Sequence, residues 1–371
     1  GGNWTTELQR MRLALRLPRG WRAISNAPAV EEAPGRVRFA ETEPISTYLF
    51  AFAAGPFEVL TQEGEPVRLF VRRSQLARAG EHADEVLRLN RLALAFFEAE
   101  FGRRFPFAKY DLVLVPELAY GGIEHAGATF LGEQSILFPD PPSRPDLLRR
   151  AQLIFHETSH QWFGNLVTMR WFDDLWLKEG FANFMAAKAA AGIVPELEPW
   201  SAFHALKTGA YRTDATPGTT ALRQPLANLS AAKSAYGAIV YSKGPAVLRQ
   251  AEFYLGDHVF RRAMRDFLQR HAYGAADWSD LVRAFEADAP PAKLAFYMPG
   301  VAQHADTHRT LPRLAERLRL QDAGLNALLG ETLRISHVGV IHCSHCGRVT
   351  PKSFSQGYCY PCFRKLAQCD L

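Results

Sequence analysis

The sequence predicts an α+β protein, on three observations. Residues 10–72 alternate apolar and polar positions between Gly and Pro turns; from about Glu81 the apolar spacing becomes helical; and all five cysteines fall after residue 340. Together they divide the chain into a β-rich segment (1–65, part of a β-sandwich), a mixed helix-and-strand region (66–290), a linker (291–330) and a cysteine-bearing segment (331–371).

In the first segment, "RMRLALRLP" sets Arg12 and Arg16 against Leu13, Leu15 and Leu17, and "STYLFAFAAGPFEVL" and "PVRLFVRR" continue the strand pattern. Then "EHADEVLRLNRLALAFFEAEFG" carries Val86, Leu87, Leu89, Phe96 and Phe97 at helical spacing and stops at Gly102. "YDLVLVPEL" reads as a strand running into "AYGGIEHAG". Residues 146–166 read as one long helix with Leu147, Leu148, Ala151, Ile154 and Phe155 inward. "LWLKEGFANFMAAKAAAG" reads as a second, amphipathic helix, and residues 200–288 are mostly helical. At "DAPPAKLAFYMPG" the texture breaks.

Composition narrows the function classes. The chain has 371 residues, a net charge of +5 and 47% apolar residues. From Phe296 onward it carries nine Lys and Arg against five Asp and Glu, so the first 295 residues are close to neutral. The basic balance belongs to the tail and gives the body no footprint for nucleic acid, which remains open for the tail. No apolar run is long enough to span a bilayer. The body lacks cysteine and therefore any disulfide framework. The chain opens Gly1-Gly2 without a leader, so the natural N-terminus and any export signal are expected upstream. Reduced cysteines fit the cytoplasm.

The chemistry concentrates in "HETSHQWFGNLVTMRWFDDLWLKEG". His156 and His160, four apart on a helix, share one face and can bind one ion. Glu157 lies about 100° around the helix, where it reaches a water rather than the metal. Glu179, after eighteen intervening residues, is the candidate third ligand. Three protein ligands leave a zinc ion an open position, the catalytic arrangement. Asp173 and Asp174 are candidates to orient a ligand imidazole, or equally to turn or cap the next helix.

These residues resemble the zinc-binding core of the aminopeptidase N-like gluzincin metallopeptidases. Gly121 to His125, "GGIEH", is similar to that family's G-A-M-E-N exopeptidase motif through its glycines and Glu124, departing at Ile123 and His125. "VYSKGPAVL" resembles its Tyr-x-Lys-Gly signature. The likeness spans roughly residues 10–288. It implies a thermolysin-like catalytic domain that cleaves the N-terminal peptide bond through a zinc-activated water with Glu157 as general base. It further implies that Tyr241 stabilises the oxyanion, that Gly121 and Gly122 admit an extended peptide, and that Glu124 anchors a free α-ammonium. Without the likeness, Tyr241 reads as a packed aromatic and "GGIEH" as a glycine turn.

In the tail, Cys343 and Cys346, twelve residues, then Cys359 and Cys362 form a C-x2-C pair of knuckles suited to a closed structural zinc site. The stretch from Leu325 resembles the start of an uncharacterised bacterial Cys-rich, zinc-ribbon-like family. The expectation is thus two zinc ions, one catalytic and one structural, and peptide substrates with a free N-terminus. The alternatives are a zinc endopeptidase or epoxide-hydrolase-like relative, and a non-enzymatic ribbon module that binds nucleic acid or protein.

Overall fold

The computed structural model describes residues 7–138, 141–216 and 219–288, with 341–342 and 349–350. It divides into two compact units, Gly1–Asp288 and Ala289–Leu371.

The first unit begins with short strands: β1 (Leu8–Gln9), β2 (Ala14–Arg16), β3 (Arg22–Ser25), β4 (Ala29–Ala33), β5 (Arg36–Phe39), β6 (Ile45–Ser46) and β7 (Phe52–Gly55). They pair as β1-β6, β2-β5-β4 and β3-β7. Next come β8 (Phe57–Thr61), β9 (Arg68–Arg72) and a long helix, α1 (Leu76–Phe101). This helix stops at Gly102, which takes the left-handed conformation that ends helices at low cost.

After α1 come β10 (Asp111–Val115), β11 (Gly122–Ile123) and β12 (Ala128–Gly132). They complete a five-stranded sheet in the order β11-β12-β10-β9-β8, parallel in the middle and antiparallel at both edges. The central strand is buried on both faces, with Leu112, Val113 and Leu114 all inaccessible, as parallel strands require. One cover comes from the N-terminal strands, where Ile24 joins Phe57, Phe70, Val113 and Ala128 in a single cluster. Helix α1 packs against β8 and β9. The edge strand β11 is the Gly122–Ile123 part of the "GGIEH" segment, so the sheet ends beside the residues the sequence singled out.

The helical half follows: α2 (Glu133–Ile136), α3 (Arg144–Ser159), β13 (Val167–Met169), α4 (Leu175–Ile193), α5 (Pro199–Asp214) and α6 (Leu229–Ala235). A π-helical turn (Ile239–Lys243) then leads into α7 (Gly244–Leu255), α8 (Asp257–Arg270), β14 (Gly274–Ala276) and α9 (Trp278–Asp288). The mixed sheet-plus-helix class agrees with the sequence, and two details differ. Helix α3 starts on a Ser143/Asp146 capping box with Pro145 in its first turn and ends at Ser159, well before Leu166. Beyond it Gly164 takes φ +126°, and Asn165, Leu166 and Val167 each donate to the carbonyl five residues back. A chain turning this way cannot continue the helix. Nor is α4 amphipathic: it is buried on nearly every side, the apolar-all-round pattern of a central helix.

In the second unit, β15 (Ile341–His342) and β16 (Val349–Thr350) form an antiparallel pair. Cys343, Cys346, Cys359 and Cys362 lie outside the described residues. No helix among the described residues is long and apolar enough to cross a membrane.

Candidate metal centre

Helices α3 and α4 pack side by side and bring the three expected ligands together. His156 Nε2 and His160 Nε2 lie 2.9 Å apart, and Glu179 Oε2 lies 3.3 Å from each. Ligand atoms about 2.0–2.2 Å from one tetrahedral ion are separated by about 3.3 Å, so the two edges at Glu179 have the length zinc requires and the edge between the histidines is shorter. His160 Nδ1 contacts the Phe163 carbonyl at 2.9 Å. A carbonyl only accepts, so Nδ1 is the donor and the Nε2 lone pair is left facing the centre. The early end of α3 makes this contact possible, because the turn returns the Phe163 carbonyl to the ring. Gly164 is needed there: a Cβ would sit 2.9 Å from Lys178 Cγ and 3.2 Å from His160 Nδ1.

Glu157 is buried beside the triangle, with Oε2 unpartnered among the described residues. Burial pushes its carboxyl up to about 8, against a weaker pull from His156. Gly122 makes room for it: a Cβ there would lie 2.6 Å from Glu157 Oε1. The missing side chain of Gly122 thus opens space for a carboxylate of α3.

Glu124 also reaches this place. Its backbone carbonyl accepts from Asn165 Nδ2 at 2.7 Å and from Gln161 Nε2 at 3.2 Å, which ties β11 to the turn after α3. Its carboxylate pairs with Lys178, whose ammonium is also 3.0 Å from Glu179 Oε1 and stacks 4.8 Å above the Tyr48 ring. Burial alone would raise the Glu124 carboxyl, but Lys178 and His160 together more than offset this and hold it near 2. For the same reasons Glu179 lies well below the usual carboxylate range.

These groups share a cavity of about 640 Å³, walled in part by Tyr48, Tyr120, Phe172 and Tyr236. Tyr241 lines it as well, its ring 6.3 Å from that of His156, and burial raises its phenol far above the ordinary value. Gly121 lies just behind, against Leu153.

Asp173 and Asp174 do not orient an imidazole. Asp173 accepts from the Leu226 amide at 2.6 Å, and Asp174 faces Arg223 at 3.4 Å, so both brace the 223–226 loop. His125, where the family motif has Asn, is not among the cavity-lining residues. It packs edge-on against Phe130, 4.9 Å between centroids. Lys178 and Tyr48 were not singled out at all. A lysine within the largely apolar "LWLKEGFANF" was a signal available for the first, since a buried ammonium needs a carboxylate partner; Tyr48 gave none.

A model described as the peptidase family M1 domain matches residues 87–297. A second, described as a protein of unknown function (DUF2797), matches residues 330–371. The chain is 35% identical over 282 residues to aminopeptidase N of Streptomyces lividans, covering 73% of this chain and 32% of that protein. It is 34% identical over 278 residues to leucyl aminopeptidase of Saccharolobus solfataricus, covering 73% and 35%. Aminopeptidase M1-A of Oryza sativa is 34% identical over 283 residues, covering 74% and 32%. The chain spans about a third of the length of the curated relatives it matches.

Proposed function

The chain belongs to the M1 peptidase family, and from that premise we propose that it is a zinc-dependent aminopeptidase acting on peptides with a free N-terminus. The observation that carries the reading is the triangle of His156, His160 and Glu179 with Glu157 beside it and Glu124 in the same cavity.

His156, His160 and Glu179 would hold the metal. Zinc at such a centre lowers the pKa of water and polarises a carbonyl. Glu157, whose buried carboxyl a bound cation would return to the ionised form, takes the proton from the attacking water on its unpartnered oxygen and passes it to the leaving amine. Tyr241 donates a hydrogen bond to the oxygen that becomes negative in the transition state, and its raised pKa keeps the phenol protonated for that task. The β11 edge receives the substrate backbone as an added strand, and Glu124 holds the α-ammonium beside Lys178.

The domain division of the sequence belongs to the same proposal: a sandwich-type segment to residue 65, a thermolysin-like catalytic domain to 290, a linker to 330 and a ribbon at 331–371. The ribbon's four cysteines would hold a second, structural zinc, a reading supported by their spacing alone.

Two measurements on the full chain test the function: zinc content, and kcat/KM on matched peptides with free and acetylated N-termini. Loss of cleavage on acetylation supports the aminopeptidase reading, and equal rates eliminate it in favour of an endopeptidase. Absence of zinc at the His156 centre removes both.

A further inference from the structure

Tyr241 does not sit in ordinary helix. It belongs to the π-helical turn Ile239–Lys243, closed by the Gly244 amide donating to the Ile239 carbonyl. In an α-helix the Tyr241 carbonyl would accept from residue 245. That residue is Pro245, which has no N–H. The missing donor is supplied from another helix: Asn183 Nδ2 of α4 donates to the Tyr241 carbonyl at 2.6 Å.

Asn183 lies four residues after Glu179, on the same face of α4. The two elements also approach backbone to backbone. A Cβ on Gly180 would lie 3.4 Å from the Val240 carbonyl oxygen, and one on Gly244 would lie 3.5 Å from the Gly180 Cα. So one helix presents Glu179 to the metal triangle and, one turn later, grips the backbone that carries the phenol. Lys243, at the end of the same turn, is held at 2.6 Å by Asp214 of α5.

We propose that Asn183 is a positioning residue that fixes Tyr241 against the metal-ligand helix, replacing the donor that Pro245 removes. The proposal rests on the role given to Tyr241 above. Without the clamp the Tyr241 carbonyl loses its side-chain donor. The turn that carries the phenol is then held less firmly against α4, and the ring is freer to leave its place 6.3 Å from the His156 ring.

The test combines turnover with hydrogen exchange on the full chain. Asn183→Ala should lower kcat by about ten- to a hundredfold with KM changed by less than about threefold. Exchange over residues 239–245 should accelerate while zinc content holds. Pro245→Ala, which restores a backbone N–H to the same carbonyl, should reverse both effects. In a Tyr241→Phe background, Asn183→Ala should cost nothing more in kcat. Additive losses, or unchanged exchange over 239–245, overturn the proposal. If Tyr241→Phe leaves kcat intact while Asn183→Ala still loosens the turn and Pro245→Ala rescues it, the clamp stands and the role of Tyr241 falls. Should Asn183→Ala fail to fold, Pro245→Ala with and without it gives the same decision: equal kcat supports the clamp, and a tenfold gap rejects it.

Discussion

Lys178 and Glu124 form an ion pair with side chains only 5% and 8% exposed, and the same ammonium reaches Glu179. A cation thus sits between the expected amine anchor and an expected metal ligand. Removing one partner of such a pair leaves uncompensated buried charge. Lys178→Met should lower stability by about 3–5 kcal/mol in denaturant unfolding of the metal-free protein. Adding Glu124→Gln to that variant should recover part of the loss. If the double variant is no more stable than Lys178→Met, the pair is not the source of the cost.

Glu157→Gln keeps the side-chain volume and removes the proton acceptor. Zinc content should be unchanged while kcat falls by about 10²–10⁴. Retained kcat would assign the base to another group.

His160 is the best-oriented of the proposed ligands, its Nδ1 fixed on the Phe163 carbonyl. His160→Ala should remove about one equivalent of zinc per chain, read by metal analysis. The variant should leave any zinc bound by the cysteine segment in place. A variant with the full complement rejects the ligand assignment.

Asp174 gives a pH dependence. Burial raises its carboxyl from 3.8 to about 6, against the pull of Arg223. The folded state therefore holds the proton more tightly than the unfolded state, and stability is lost as pH rises from about 4 to 6. Each unit is worth about 1.4 kcal/mol, so the full cost at pH 7 is at most about 3 kcal/mol. Asp174→Asn should be more stable than the parent at pH 7 by up to that amount, with the difference fading below pH 4. A difference that is the same at pH 4 and pH 7 excludes titration of Asp174 in this window.

Much of the centre was legible because its rule is local. His156 and His160 share a helical face whatever surrounds them, and Glu157 must point beside them. The long helix ending at Gly102 and the strand Asp111–Val115 followed in the same way from apolar spacing and a left-handed stop. The end of α3 was not legible, since no Gly or Pro interrupts the chain between Pro145 and Gly164. Gly164 turns the chain beyond the helix, fitted against the His160 ring and against Lys178 of α4, which lies fourteen residues further on.

The sequence by itself thus determined the donor set and its order along the chain, because periodicity fixes which side chains share a face. Only the tertiary structure decided what meets across elements. It set Gly122 against Glu157, Lys178 between two carboxylates, and Asn183 on the Tyr241 carbonyl. The Gly122–Glu157, Lys178–Glu124 and Asn183–Tyr241 contacts join residues 35, 54 and 58 positions apart. Periodicity orients a side chain about its own axis, but the packing of sheet edge, α3, α4 and the π turn chooses its neighbour.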